Sequence, residues 1–438
     1  MVDINDTGLE AFSALQAGLS SNEPAWAGER RSRGMERFLD IGIPTTRHEA
    51  WKYTNLSALA KSEFRLARDR DGEISPLDLK PATIQKDAAA EIVFVNGHYS
   101  ERLSVVRGLP AGATVSPIFA AENADLVREN IGTIADGRTH PFVALNDALS
   151  NDGAIVHLAK NTTLDRPVHL LFLTVGEDEP VITSPRILVV AEANTQLTLV
   201  ESWKSIGTGR VFNNVVVEVV THENARVEHY KLVQESEEVR HIASTWQRQG
   251  RDSSYVNRLI VVGAGTARNE IHSTLDGEGA ETVLDGLYLL DQNQHLDNQT
   301  IIDHAKPRTT SIEHYKGILD DASRGIFEGR IIVRPDAQKT NAKQTNNNLI
   351  LSREATAHST PQLEIYADDV KCAHGSTIGR LDEAALFYLR ARGISEEQAR
   401  HILTAGFASE IVQRVGVAAI RERLESFLQT RLPVEEAS

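Results

Sequence analysis

Six short polar clusters decide the fold: Gly263-Ala-Gly-Thr-Ala267, Gly277-Glu-Gly-Ala-Glu281, Asp291-Gln-Asn-Gln294, Lys306-Pro-Arg-Thr-Thr310, Asp320-Asp-Ala-Ser323 and Pro335-Asp-Ala-Gln338. Their first residues are spaced by 14, 14, 15, 14 and 15 positions. After most of them comes an apolar, β-branched stretch, among them Ile271–Leu275, Val283–Leu289, Ile312–Tyr315, Ile331–Val333 and Leu349–Leu351. A fixed period of strand and turn, with no helix inserted, marks a solenoid. No unit can bury its own apolar face, so each must stack on its neighbours. Solenoid winding also supplies the long crossover that parallel strands require. The competing architecture is an antiparallel sandwich, whose turns recur every 8–12 residues. The pairs Asp276-Gly277 and Asp285-Gly286 could make hairpin turns for it. They do not recur later, and the longer period favours the solenoid. The run Lys339-Thr-Asn-Ala-Lys-Gln-Thr-Asn-Asn-Asn348 reads as a turn whose side chains stack into a ladder between coils.

Outward from this core, strand-like segments reach back to Ile92–Val95 through Leu259–Val262, Val215–Val220, Ile187–Val190 and Val168–Leu173. The stretch from about Leu9 to Leu66 reads as helical, with Leu9, Phe12, Leu15 and Leu19 at helical spacing. The stretch Arg47-His-Glu-Ala-Trp-Lys-Tyr-Thr54 is rich in polar and aromatic residues for a connector, and its plain reading is helix packing around one buried Trp. Residues 72–86 read as a linker. After Arg380 the pattern turns helical again. Leu381–Arg392 ends at Gly393, a natural C′ residue. Ser395 with Gln398 forms a capping box for the next helix, and a third helix follows from about Glu410 to Thr430. The tail after Pro433 is expected to fray. These boundaries give a helical region over 1–90, a solenoid over 91–378 and a C-terminal helical domain over 379–438. Such helices could cap the last coil or dock a partner.

Composition narrows the function. The chain has 438 residues and one cysteine, Cys372. One cysteine forms no internal disulfide and cannot alone supply a four-cysteine zinc or iron–sulfur site. With 46 basic against 61 acidic side chains the net charge is −15, contrary to a general nucleic-acid binder. No apolar run reaches about 18 residues, so no membrane span is expected. The start, Met1-Val-Asp-Ile-Asn-Asp-Thr-Gly-Leu-Glu10, lacks an apolar signal core, which makes the cytoplasm the expected address.

Familiar catalytic signatures are missing. Gly263-Ala-Gly265 opens like a dinucleotide loop, but Arg268 stands at the third glycine position and no helix follows. There is no P-loop, so ATP hydrolysis would need another chain. The informative stretch is Asp368-Asp-Val-Lys-Cys-Ala-His-Gly375. On an extended strand Cys372 and His374 share one face. A thiolate and an imidazole there make half of a soft metal site, and Lys371 nearby would favour the thiolate. A buried free cysteine beside a surface histidine and a Cys/His nucleophilic pair are the other readings. His304, His314 and His358 read as satisfied or exposed side chains. Asp320-Asp321 and Asp368-Asp369 raise a rival function, a β-helix carbohydrate-active enzyme using a paired-Asp site.

Four stretches in order carry a family likeness: Arg47–Thr54, Lys339–Ser352, Ala367-Asp-Asp-Val-Lys-Cys-Ala-His-Gly-Ser-Thr-Ile-Gly379 and Leu386-Phe-Tyr-Leu-Arg-Ala-Arg-Gly-Ile394. Together they resemble the SufB/SufD family of the Suf iron–sulfur cluster assembly system, on its SufD side. The resemblance implies a right-handed parallel β-helix between helical ends, and a non-catalytic scaffold on which a nascent cluster is built and passed to apo-proteins. It implies pairing with SufB through the β-helix, and one SufC ATPase bound through the C-terminal helices. A homodimer is the alternative when the chain is isolated. By motif match His374 is the functional histidine at the SufB interface, with Cys372 beside it, sharing iron or a transient cluster with SufB. Leu386, Phe387, Tyr388, Leu389, Arg390, Arg392, Gly393 and Ile394 match the part that docks SufC. The family complex is associated with reduced flavin, FADH₂, for which no residue here is assigned. Neither nucleic acid nor membrane is implied.

Overall fold

The structure is a computed structural model that describes residues 5–16, 18–19 and 25–431. The tail after Pro433 lies outside them. From Arg186–Ala191 onward, successive strands alternate between two sheets, one of 11 and one of 10 strands. Nearly every pair is parallel. Antiparallel pairing is confined to the first end, where His98–Val106 joins Ala90–Val95 and Ala113–Pro117 joins Gly153–Leu158. The core is a parallel β-solenoid of about eight turns with helices at both ends of the chain.

The register explains the period. In the first sheet Thr266 lies opposite His295, and His295 opposite Arg324. In the second, Glu281 faces Thr310 and Asn341 faces Lys371. Each step along the chain is twice the spacing of the polar clusters. That spacing is therefore half a coil: one strand, 10 residues long in Thr266–Leu275, and one turn. Two such units complete a coil, and the next coil repeats the same sheet.

The turn leading from the first sheet to the second places one residue in the left-handed region in every coil but the last: Asn161, Asn194, Asn224, Asp252, Gly279, Arg308 and Lys339. Each donates its backbone N–H to a carbonyl of the next coil's turn, from Asn161 N to Ala193 O at 3.0 Å through to Lys339 N to Asp369 O at 2.7 Å. Asparagine tolerates this conformation better than most residues. An amide ladder does form here, where Asn194 Nδ2 donates to Asn161 Oδ1 at 3.0 Å and Asn224 Nδ2 to Asn194 Oδ1 at 2.9 Å. The asparagine run expected to form one is instead mostly strand, Asn341–Ile350. Its alternate residues Gln344, Asn346 and Asn348 are buried. Asp285-Gly286 is likewise no hairpin; it sits mid-strand in Glu281–Leu290. A Cβ at Gly286 would collide with the ring of Tyr315 on the next coil.

Helices cover both outer faces. Phe12, Phe38, Trp51, Phe64 and Phe142 pack on Ile182, Phe212 and Ile242 of the first sheet. The C-terminal helices Glu383–Arg390, Glu396–Val412 and Ala418–Arg431 pack on Val200, Tyr230, Ile260, Leu287, Ile318 and Leu349 of the second. Their caps follow the sequence reading: Ser395 Oγ accepts from Gln398 N at 3.1 Å, and Gly393 takes φ +86°. Capping of the last coil by these helices does not occur. Their apolar sides match the row of outward residues running back along the second sheet, so they follow it away from the end.

The interior is only partly apolar. One inward column of the second sheet reads, in register, Leu199, His229, Asn257, Leu284, Glu313, Gln344 and His374. Within the lumen His229 Nε2 pairs with Glu201 Oε2 at 2.9 Å and Lys231 Nζ lies 3.3 Å from Glu201 Oε1, which holds that carboxyl far below its usual range despite burial. Glu313 receives the Gln344 amide at 2.6 Å, yet burial pushes its carboxyl up to about 7.

Two outcomes test this packing. Gly286→Val should destabilise the chain by roughly 1–3 kcal/mol through overpacking against Tyr315, read as a lower urea midpoint; an unchanged midpoint would contradict the register. The raised Glu313 carboxyl favours the folded state while protonated, so its contribution is full below the unfolded value of 4.5 and is lost as pH rises through about 7. Glu313→Gln should remove that part of the pH dependence in denaturant titrations between pH 4.5 and about 8.

Candidate functional site

The solenoid ends on two strands, Thr356–Ile365 in the first sheet and Lys371–Gly379 in the second. Among the described residues neither has a strand beyond it. Each presents a row of unpaired backbone groups, a ready template for another chain. Ile365, Tyr366 and Ile378 are exposed here, Tyr366 by 62% and Ile378 by 52%. The end is therefore both apolar and open in hydrogen bonding.

Alternation along Lys371–Gly379 sets the direction of each side chain. Cys372 is in register with Ala342 and half-buried, packed against the solenoid core. His374, in register with buried Gln344, points to the same inward side but is exposed because no coil follows it. The thiol and the imidazole thus share one face at the open mouth. Lys371 does not help the thiolate as expected. Alternation turns it to the opposite face, and burial pushes the Cys372 thiol up. Among the described residues no group of three His, Cys, Asp or Glu is arranged to hold a metal. Two donors at a mouth can complete a coordination sphere only with donors from another molecule.

His304, His314 and His358 have protein partners. His304 is buried between Thr309 Oγ1 at 2.7 Å and Ser311 Oγ at 2.9 Å. His358 stacks on Tyr53 with ring centres 4.5 Å apart, and His314 Nδ1 lies 3.6 Å from Glu410. The acidic pairs serve turns. Asp321 has φ +48° and accepts from Gln292 N at 2.9 Å, while Asp369 pairs with Lys339. Asp320-Asp321 lies where the chain passes from the second sheet to the first, and Asp368-Asp369 where it passes back. These are opposite edges of the solenoid, and in each pair one carboxylate is committed to a turn partner, Asp321 to Gln292 N and Asp369 to Lys339.

Arg47–Thr54 does more than bury a tryptophan. Trp51 is 7% exposed, and the Arg268 guanidinium lies 3.8 Å above its ring. Arg268 pairs with Asp297 and with Glu270, the latter at 2.7 Å. Thr54 Oγ1 donates to the same Asp297 at 2.6 Å. Sequence reasoning missed this clamp. Its one signal was Arg268 itself, the residue that spoils the glycine pattern. Beneath Trp51 lies a cavity of about 380 Å³ shared by His140, Glu270, His272 and Glu328.

The residues matched to partner docking divide by direction. Leu386 is buried, and Leu389 and Ile394 pack on the same C-terminal core. Phe387 and Tyr388 are 74% and 55% exposed. Arg392 lies 3.4 Å over the Tyr388 ring, Arg390 pairs with Glu396 at 3.1 Å, and Gly393 makes the left-handed stop.

A groove of about 670 Å³ lies between the second sheet and the helix Ala418–Arg431. Asp87, Asp165, Glu228 and Glu422 line it against Arg166 and Arg226. Four carboxylates against two guanidinium groups do not suit a pyrophosphate. The residues there do not fit FADH₂.

Comparison with known proteins agrees with this architecture. Residues 172–407 match the family model described as SUF system FeS cluster assembly, SufBD core domain, and residues 3–170 match the SufBD protein N-terminal region. An iron-sulfur cluster assembly SufBD family protein of Synechocystis is 35% identical over 97% of this chain and 95% of its own. SufD of Escherichia coli is 29% identical, with 91% and 92% covered, and the chloroplastic protein ABCI7 of Arabidopsis thaliana 28%, with 96% and 90% covered. The solenoid, its two helical layers and the matched regions agree: the chain belongs to the SufB/SufD family of iron–sulfur cluster assembly proteins, on its SufD-like side.

Proposed function

We propose that this chain is a non-catalytic scaffold subunit of a SufB–SufC–SufD complex that builds nascent iron–sulfur clusters and passes them to apo-proteins. One observation carries the reading: the last coil is left open, with Cys372 and His374 facing its mouth. SufB covers that end, adding strands to the exposed edges and burying Ile365, Tyr366 and Ile378. His374, with Cys372 beside it, then shares iron or the forming cluster with SufB donors. The cluster is cargo, which suits a chain with half a site. We place this assembly in the cytoplasm. Among the described residues no helix is long and apolar enough to cross a membrane.

The energy source is a separate ATPase, SufC, docked on residues 379–438. Phe387 and Tyr388 offer the exposed aromatic surface for it, while Leu386, Leu389 and Ile394 hold that surface in place. The helices are tied to the solenoid by polar contacts as well as packing. Arg414 Nη1 donates to Asp285 Oδ1 at 2.7 Å and Lys316 Nζ meets Glu410 Oε2 at 2.5 Å, while Arg423 Nη1 reaches the N-terminal region instead, donating to Ala82 O at 2.9 Å. Displacement of the helices by SufC closure is thereby passed to the rigid coils and on to the SufB interface.

In the reconstituted three-subunit complex, His374→Ala should lower cluster formation by about tenfold or more, followed by absorbance and by iron and sulfide content; undiminished assembly would sink the role given to His374. Phe387→Ala combined with Tyr388→Ala should weaken SufC binding by about 2 kcal/mol or more, as for central aromatic anchors. Calorimetric titration reads this, and retained affinity would remove the docking assignment.

A further inference from the structure

The inward column that ends at His374 has an ordered polar group behind it. Gln344 is in register with His374, and Glu313 with Gln344. Gln344 is fully buried, and its Nε2 donates to Glu313 Oε2 at 2.6 Å. The opposite sheet leaves room for this amide. A Cβ at Gly329 would collide with Gln344 Nε2, so the glycine there lets the amide occupy one position. With its nitrogen committed to Glu313, the amide has a second polar atom to satisfy. Gln344 Oε1 is buried and without a hydrogen-bond partner. Such an atom in a well-packed interior calls for a donor. The next strand lies about 4.8 Å away, and the residue it offers at that position is His374. No hydrogen bond among the described residues holds the His374 ring.

We infer that Gln344, fixed by Glu313, is the positioning residue of His374: Gln344 Oε1 accepts one ring N–H and so leaves the other ring nitrogen, facing the mouth, with its lone pair for iron. The inference rests on the metal role proposed above for His374. The physical logic is that of ligating histidines generally, whose non-ligating N–H is held by a neighbouring acceptor that sets tautomer and ring orientation. Here the acceptor is an amide whose own direction is set one coil further in. Glu313 thereby acts on His374 without touching it.

The test separates the hydrogen bond from the metal role. The full chain, labelled with ¹⁵N-histidine, is examined by NMR, and the His374 ring signals are assigned by their loss in His374→Ala. The native chain should show one dominant tautomer. Gln344→Met, close in volume but without the acceptor, should shift the ring nitrogens toward the mixed-tautomer position. It should also lower cluster formation in the three-subunit complex by about tenfold. Glu313→Leu, one coil further from the end, should shift the signals in the same direction, whereas Glu313→Gln, which keeps an acceptor for the Gln344 amide, should leave them in place. The Glu313 pair decides the matter if Gln344→Met does not fold. Unmoved His374 signals in Gln344→Met, or in Glu313→Leu, would overturn the inference. If those signals move but His374→Ala leaves assembly intact, the hydrogen bond stands and the metal reading falls.

Discussion

The structure depends on one repeated constraint: each coil must return to register with the last. The left-handed residue in every first-to-second-sheet turn but the last enforces it. Seven such residues, from Asn161 to Lys339, each donate a backbone N–H to the next coil's turn. A slip by one residue would break this column and turn every inward side chain outward. Because the column holds, side chains stack in rows from coil to coil. A ring on one coil then dictates a glycine on its neighbour, as Tyr315 does at Gly286.

Stacking leaves two outer faces and two ends to be dealt with. The faces are closed by apolar helices, the end by nothing in the described residues. The interior accommodates buried charge in matched groups. Glu201 sits between His229 and Lys231, and on the first sheet's outer face Arg186 meets Glu218 at 2.5 Å and Asp147 at 3.1 Å. Removing one partner from such a buried group typically costs about 3–5 kcal/mol. These groups favour one register over its neighbours, because a shifted coil would leave them unpaired. The Arg268–Trp51 clamp does the same for the N-terminal layer, whose short connector also reaches Asp297, Glu328 and His358 on successive coils.

The open end and the lone cysteine belong to one design. A chain with one thiol and one exposed imidazole at the mouth of a solenoid is suited to supplying part of a site. The edge strands, the exposed tyrosine and isoleucines and the two donors all lie within the same coil. In the proposed assembly, a related solenoid and an ATPase contribute what this chain lacks for cluster building.

Much of this was legible in the residues. The even spacing of the polar clusters established a solenoid, since only stacking can bury strands so regularly placed. The spacing of Cys372 and His374 put them on one face, and Gly393 and Ser395 marked the helix boundaries. All of these are local: they depend on backbone geometry over a few residues. The rest was decided by contacts between residues far apart in the chain. Nothing local says that two units make one coil, that the asparagine run turns inward, or that Arg268 lies on Trp51. Nor could composition place the C-terminal helices, whose apolar sides suit an end as well as a face. Only the stacked rows of the second sheet offered them a long apolar strip, and by taking it they left the last coil, with His374 backed by Gln344, uncovered.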